Sequence, residues 1–293
     1  MKTLIFFSFL LGTTLLSANK TCLKYGVIPY VNVSDIESYY VNWKKYIEKK
    51  INRCVTIDFE NSYGEIINKF SKNKLDFAFV GPFSYVLTKK VADVEPIVTG
   101  VTKDGFATYK SLFVVTPEVA KALNISKPLK GESGMNILKF KLEKYKKRWM
   151  LAFTDEGSTS GYAVPSYYMK KVNMIPEDYF KKTTFVGTHD AAELVVANNI
   201  IPMAVTAEMF YHQLLEDKKI SKQTNIVIWE SDDIPKSPII IRKDLSSDLK
   251  SALQEALVSM PHSFVPRLGK TIMYTKTNST NYAIIEDIHK YIK

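Results

Sequence analysis

Cysteine and histidine are scarce in this chain. Its 293 residues include two cysteines, Cys22 and Cys54, and four histidines, His189, His212, His262 and His289. Two cysteines cannot build a disulfide framework, and the histidines show no metal-ligand spacing, so no metal site and no cofactor is expected. Low-complexity tracts are absent too, and the apolar share of 46% is that of a globular protein. Acidic residues are outnumbered, 30 against 40 Lys and Arg, for a formal charge of +10. A basic surface speeds encounter with small anions and acidic surfaces. It does not by itself make a nucleic-acid binder: there is no aromatic-rich sheet motif and no recognition-helix signature.

What is present begins with a leader. Met1-Lys2-Thr3 carries one basic side chain, Leu4 to Leu16 is apolar, and Ser17-Ala18 supplies small residues for cleavage. The run is too short for a membrane span and reads as a signal peptide over 1–18, so the mature protein is expected to be exported and soluble. Asn19-Lys20-Thr21 before Cys22 is not the small-residue run that a lipid anchor needs. Cys22 and Cys54 each precede an apolar strand. If those strands are parallel neighbours their starts lie side by side, within disulfide reach, and an oxidising compartment favours a bridge. The alternative is two half-buried free thiols.

Strand and helix patterns then alternate. Leu23 to Ile28, Val55 to Phe59 and Leu75 to Val80 read as strands, with helices from Ser34 to about Lys50, over Tyr63 to Ser71, and from the Gly81-Pro82-Phe83-Ser84-Tyr85 turn onward. Short connections of this kind argue a doubly wound α/β lobe, whose binding crevice lies beyond the carboxyl ends of the strands. Tyr63 and the Gly81–Tyr85 turn fall at that edge. Val94 to Val101 and Ser111 to Thr116 are strand-like, with Asp104-Gly105 between them as a hairpin-type turn. A second alternation runs from Met150 to Ile241, followed by the paired helices Ser247 to Ser259 and Ile284 to Ile292, which are expected to return to the first lobe. Crossovers fall near Thr108–Pro117 and Trp229–Pro238. The lobes are then 19–112 with 236–293, and 113–235. Ser126 to Lys147 reads as a long basic linker, and the overlapping stretch Lys139 to Arg148 as a solvated helix face.

The stretch with the clearest chemistry is Asp155-Glu156-Gly157-Ser158-Thr159-Ser160-Gly161, between an apolar strand pattern and a helical one. The first N–H groups of a helix lack intrahelical partners, the macrodipole places partial positive charge there, and Ser and Thr hydroxyls add donors. Gly157 and Gly161 are expected to let the backbone turn sharply and approach a ligand closely. The plainer reading is an ordinary N-cap.

Taken with Pro165, Gly187-Thr188-His189-Asp190, Gly81-Pro82-Phe83-Ser84-Tyr85, Tyr109-Lys110-Ser111 and Pro235-x-x-Pro238, this run resembles the phosphonate/phosphite/phosphate-binding (PhnD-like) family of periplasmic solute-binding proteins of ABC transporters. The likeness extends from about Leu23 to about Arg267. It implies a two-lobed type II periplasmic binding protein of class α/β, each lobe a doubly wound, mostly parallel sheet with flanking helices, joined by two crossover strands. It implies that Ser158, Thr159 and Ser160 hold an oxyanion, that His189 donates to it, and that Tyr63 and Tyr109 close the pocket, with Ser84 and Tyr85 beside them. An imidazole next to a dianion is expected to shift toward its protonated form. Family members that take aminoalkylphosphonates carry acidic residues against the amine. Here one is offered only by a displaced Glu208, and the other is replaced by Ser237. That favours phosphate, phosphite or a small alkylphosphonate.

The resemblance implies a monomer that works with a membrane permease and is not an enzyme. A periplasmic sensor reporting to a receptor kinase uses the same closed form. Ser158 with His189 and Asp190 can be drawn as a hydrolase triad, but the serine sits in an anion-cradle context rather than a Gly-x-Ser-x-Gly elbow.

Overall fold

The computed structural model describes residues 21–266 and 270–293, apart from the side chains of 33–35. The signal-peptide expectation over 1–18 lies outside the described residues.

Apolar runs and amphipathic helices alternate as the patterning predicts. The first part of the chain forms β1 (Leu23–Val27), α1 (Val33–Ile51), β2 (Val55–Phe59), α2 (Tyr63–Ser71), β3 (Phe77–Phe79), α3 (Pro82–Thr88) and β4 (Val94–Val101). The middle forms β5 (Thr108–Tyr109), β6 (Ser111–Val115), α4 (Pro117–Leu123), β7 (Leu129–Lys130), α5 (Gly131–Leu142), β8 (Met150–Phe153), α6 (Val164–Lys171) and α7 (Pro176–Tyr179). Next come β9 (Lys182–Phe185), α8 (His189–Ala197), β10 (Met203–Ala207), α9 (Glu208–Glu216) and β11 (Ile226–Glu230). The last part forms β12 (Ile234–Pro235), β13 (Pro238–Arg242), α10 (Ser247–Val258), β14 (Met273–Lys276) and α11 (Ala283–Ile292).

These make two six-stranded sheets, ordered β14-β4-β13-β3-β1-β2 and β7-β11-β6-β10-β8-β9. Each sheet is mixed. Strands β2, β1 and β3 are parallel, and so are β9, β8 and β10, while the chain's crossings between lobes bring in antiparallel neighbours such as β13 and β6. Between the sheets lies the short antiparallel pair β5–β12, where both crossover segments run side by side. This is the two-lobed α/β architecture with flanking helices expected from the sequence.

In the first lobe, Ile36, Tyr40, Trp43 and Ile47 form the buried stripe of α1, and Trp43 stacks on Tyr25 of β1 with ring centroids 4.5 Å apart. Tyr39 and Tyr46 are only partly buried at the edge of that stripe. The parallel register sets Leu23 opposite Val55, so the residues just before them, Cys22 and Cys54, meet and form a disulfide with a Cα–Cα distance of 4.6 Å.

Three expectations need correction. Asp104-Gly105 does close a turn, with Gly105 at φ 81° and its N–H on Thr102 O, but β4 and β6 belong to different sheets, so the turn joins no hairpin. Ser126 to Lys147 is no linker: α5 fills most of it and buries Met135, Leu138 and Leu142. Lys139 and Lys141 on α5 reach backbone carbonyls at the ends of α6 and α4, namely Val172 O and Leu123 O, where cations complement the helix dipole. Finally, α10 returns to the first lobe against α1, but α11 lies across both lobes, touching α3 and α6.

Candidate functional site

The Asp155–Gly161 turn leaves β8 and enters a helix whose first turn, Thr159–Ala163, is π-helical. Asp155 Oδ1 accepts from Gly157 N at 2.7 Å, and Ser158 Oγ caps Gly161 N at 3.1 Å. Pro165 explains the widening. It has no N–H for the carbonyls one turn back, and these find partners outside the helix: Ser160 O accepts from Ser111 Oγ at 2.6 Å, and Gly161 O from Thr154 N at 3.0 Å. Glycine is needed here for close approach rather than for a sharp turn, since neither Gly157 nor Gly161 has positive φ. A Cβ on Gly161 would lie 2.0 Å from Thr154 Oγ1, and one on Gly157 2.7 Å from Tyr63 Cβ on the other lobe. The N–H groups of Thr159 and Ser160 have no intrahelical acceptor and stand at the positive end of the helix.

Gly187 takes φ 91°, a conformation that suits glycine, and leads into α8, capped by Thr188. His189 opens α8. Its ring stacks on Phe210 with centroids 4.9 Å apart, and its Nδ1 lies 3.1 Å from Thr206 Oγ1. Burial holds the imidazole down to about 3, so it is neutral. Its backbone N–H donates to Tyr30 O of the first lobe, and the Asp190 carboxylate accepts from Asn32 N.

Tyr63 and Tyr109 face this turn from the first lobe and the crossover. Burial raises both phenols, Tyr109 to about 12, where the neighbouring Ser160 and Thr159 hydroxyls pull partly the other way. Both therefore keep their protons as donors. Ser158, Thr159, Ser160, His189, Tyr63, Tyr109 and Ser237 all line one cavity between the lobes, with a water-accessible volume of about 30 Å³.

Three predicted residues are not there. Ser84 is fully buried and donates to Gly157 O at 2.8 Å, tying the lobes together beside the cavity. Tyr85 lies in the first lobe's core against Tyr282, with ring centroids 5.4 Å apart. Glu208 heads α9 outside the cavity, 3.9 Å from His212, while the next two residues, Met209 and Phe210, line it. The helix turns Glu208 outward just as it turns its successors in.

One residue was missed. Lys236, between the two prolines of the return crossover, lines the cavity at 3% exposure. Its Nζ has a single weak contact, 3.4 Å to Thr271 Oγ1, and among the described residues no carboxylate pairs with it. Burial holds its ammonium down to about 8, with Glu208 pulling weakly the other way. The signal lay in the Pro-x-x-Pro frame, but that both enclosed residues, Lys236 and Ser237, reach the cavity depends on the β5–β12 pairing. Among the described residues no carboxylate lines the cavity.

The two sheets, the β5–β12 crossover and a cavity closed between lobes, its hydroxyl donors set among apolar side chains, define a class: type II periplasmic binding proteins. Within it, residues 25–287 match the family described as ABC transporter, phosphonate, periplasmic substrate-binding protein, and the chain belongs to that family. It is 28% identical over 276 residues to the phosphonates-binding periplasmic protein of Escherichia coli (strain K12), covering 92% of this chain and 75% of that one. It is 22% identical to the probable ABC transporter phosphite binding protein PhnD1 of Prochlorococcus marinus (strain MIT 9301), covering 92% and 90%. A structure of PhnD1 from that organism in complex with methylphosphonate shares the fold, with a TM-score of 0.77, 21% identity, and coverage of 92% and 97%.

Proposed function

We propose that this chain is the periplasmic component of an ABC importer that holds a small phosphorus oxyanion (phosphate, phosphite or a small phosphonate) and delivers it to a membrane permease. The observation that carries the reading is the head of the π-turn. Ser158, Thr159 and Ser160, with the free N–H groups between them, face a cavity closed by Tyr63 and Tyr109 and floored by His189. Donors to a charged oxygen are stronger than neutral pairs, and here they are fixed before the ligand arrives. A ligand dianion would also offset the burial that keeps His189 neutral, drawing a proton onto it as a second donor. The cavity's small volume suits an anion of phosphate or methylphosphonate size.

Export to the periplasm through the 1–18 segment, and action as a monomer, complete the reading. The geometry speaks against hydrolysis. The Asp190 carboxylate is engaged by Asn32 N, Thr188 Oγ1 and Ala191 N, while the partner of His189 Nδ1 is Thr206, so no acid orients the imidazole toward Ser158.

The test is a thermal-shift screen of phosphate, phosphite, methylphosphonate, 2-aminoethylphosphonate and sulfate. A true ligand at about 100 times its dissociation constant stabilises the fold by about 2.7 kcal/mol. The phosphorus oxyanions should raise the melting temperature, and Ser158→Ala should abolish the rise. No shift with any of them would overturn the assignment.

A further inference from the structure

The cavity contains a cation that the oxyanion cradle does not account for. Lys236 is carried on the crossover and its backbone is pinned from both sides: its N–H donates to Ala107 O at 2.8 Å, and its carbonyl accepts from Tyr282 Oη at 3.1 Å and Thr99 Oγ1 at 3.2 Å. The side chain thus starts from a fixed point, and it lies between this cavity and an outer pocket that it shares with Asp104, Glu208 and Asp233. Thr271 covers it, and Gly100 makes that possible, since a Cβ there would lie 2.6 Å from Thr271 Cγ2. A buried ammonium without an anionic partner is costly, and the cost is removed when an anion enters beside it. His189 is neutral, so Lys236 is the one full positive charge among the described residues that line the cavity.

We propose that Lys236 is the charge-selecting residue of the site: it pairs with a wholly anionic phosphorus oxyanion and excludes ligands that carry an ammonium group of their own. The substrate class is therefore small phosphorus dianions with an uncharged remainder, and zwitterionic aminoalkylphosphonates are rejected by like-charge repulsion in a cavity where no carboxylate among the described residues receives the amine. This rests on the function proposed above and narrows it.

Calorimetric titration of the mature protein with methylphosphonate and 2-aminoethylphosphonate, repeated on Lys236→Met and Lys236→Glu, tests this. The native protein should bind methylphosphonate and prefer it. Lys236→Met should weaken methylphosphonate by about 10- to 150-fold, the range for losing a hydrogen bond to a charged group. Lys236→Glu should reverse the order of the two ligands. Met replaces a buried charge by an apolar chain of similar length, so the ligand-free melting temperature of that variant should hold or rise, separating lost binding from lost folding. If the native protein binds methylphosphonate and Lys236→Met binds it equally well, the role of Lys236 is refuted and the oxyanion reading stands. The same holds if the native protein prefers 2-aminoethylphosphonate. If no phosphorus oxyanion binds the native protein at all, both readings fall.

Discussion

His189 and Lys236 meet the cavity as two bases whose charged forms are both disfavoured by burial, yet they end in different states near neutral pH. The imidazole, held down to about 3, is uncharged, whereas the ammonium, held down to about 8, is still charged. For Lys236 the folded value lies below the unfolded one, so between about pH 8 and pH 10.4 the unfolded chain binds more protons. Its contribution to the stability of the ligand-free protein therefore rises with pH across that window. Binding runs the other way, because above about pH 8 a proton must be taken up before the anion can be paired. Affinity for phosphite, already a dianion there, should fall by up to about tenfold per pH unit above about 8. Lys236→Met should remove that limb of the profile, and an unchanged pH dependence in the variant would separate Lys236 from the ligand. His189 acts at the acid end: its unfolded value lies above its folded one, so ligand-free stability falls as pH drops from about 6.5 toward 3.

At the scale of elements, the anion-facing head depends on one tight packing contact. Gly161 sits so close to Thr154 that an added methyl has nowhere to go: its carbon would lie 2.0 Å from Thr154 Oγ1 and 2.3 Å from Thr154 Cβ. Thr154 cannot move freely, because Oγ1 donates to Val205 O in the middle of β10 and its N–H holds Gly161 O. Gly161→Ala should cost about 1–3 kcal/mol or more by overpacking and should also displace the turn, weakening oxyanion binding. Urea unfolding and titration of one preparation would measure both, and native-like stability with native-like affinity would show that the turn tolerates the methyl group. The strand-to-helix junction was legible in the sequence because capping chemistry is local. The π-turn was not, since it depends on Ser111 and Thr154 reaching the carbonyls that Pro165 leaves without a donor.

Across the whole molecule, closure is a set of cross-lobe hydrogen bonds around a small void. Phe83 N, at the start of α3, donates to Thr159 Oγ1, Ser84 Oγ to Gly157 O, and His189 N to Tyr30 O. The helix α3 has no side-chain cap of its own, and Thr159 from the opposite lobe satisfies one of its amides. Helix α11 adds a strap, with Tyr291 against Tyr167 of α6 and His289 against Phe83 of α3. Opening the cleft must break some of these contacts, and ligand binding repays them. The Cys22–Cys54 bridge closes a span of 32 residues at the edge of the first sheet, far from this machinery. Replacing both cysteines by serine should lower stability by about 3–4 kcal/mol through the unfolded chain's regained freedom, with little effect on ligand affinity. Chemical denaturation and titration of the double variant check the two halves of that statement.

The sequence by itself determined what depends on near neighbours along the chain. It set the alternation of strands and helices and the donor-rich entry to a helix at Ser158–Ser160, while the bridge between Cys22 and Cys54 waited on the parallel pairing of β1 with β2. The tertiary structure decided which side chains share the cavity. Glu208 and Met209 are adjacent, yet one faces out and one faces in, and Ser84 and Tyr85 bind lobe to lobe and core to core rather than lining the site. Lys236 reads as an ordinary basic residue between two prolines until the pairing of β5 with β12 fixes the rotation of the crossover and buries its ammonium. A side chain's direction at a crossover depends on the strand it pairs with, and that partner lies more than a hundred residues away in the chain.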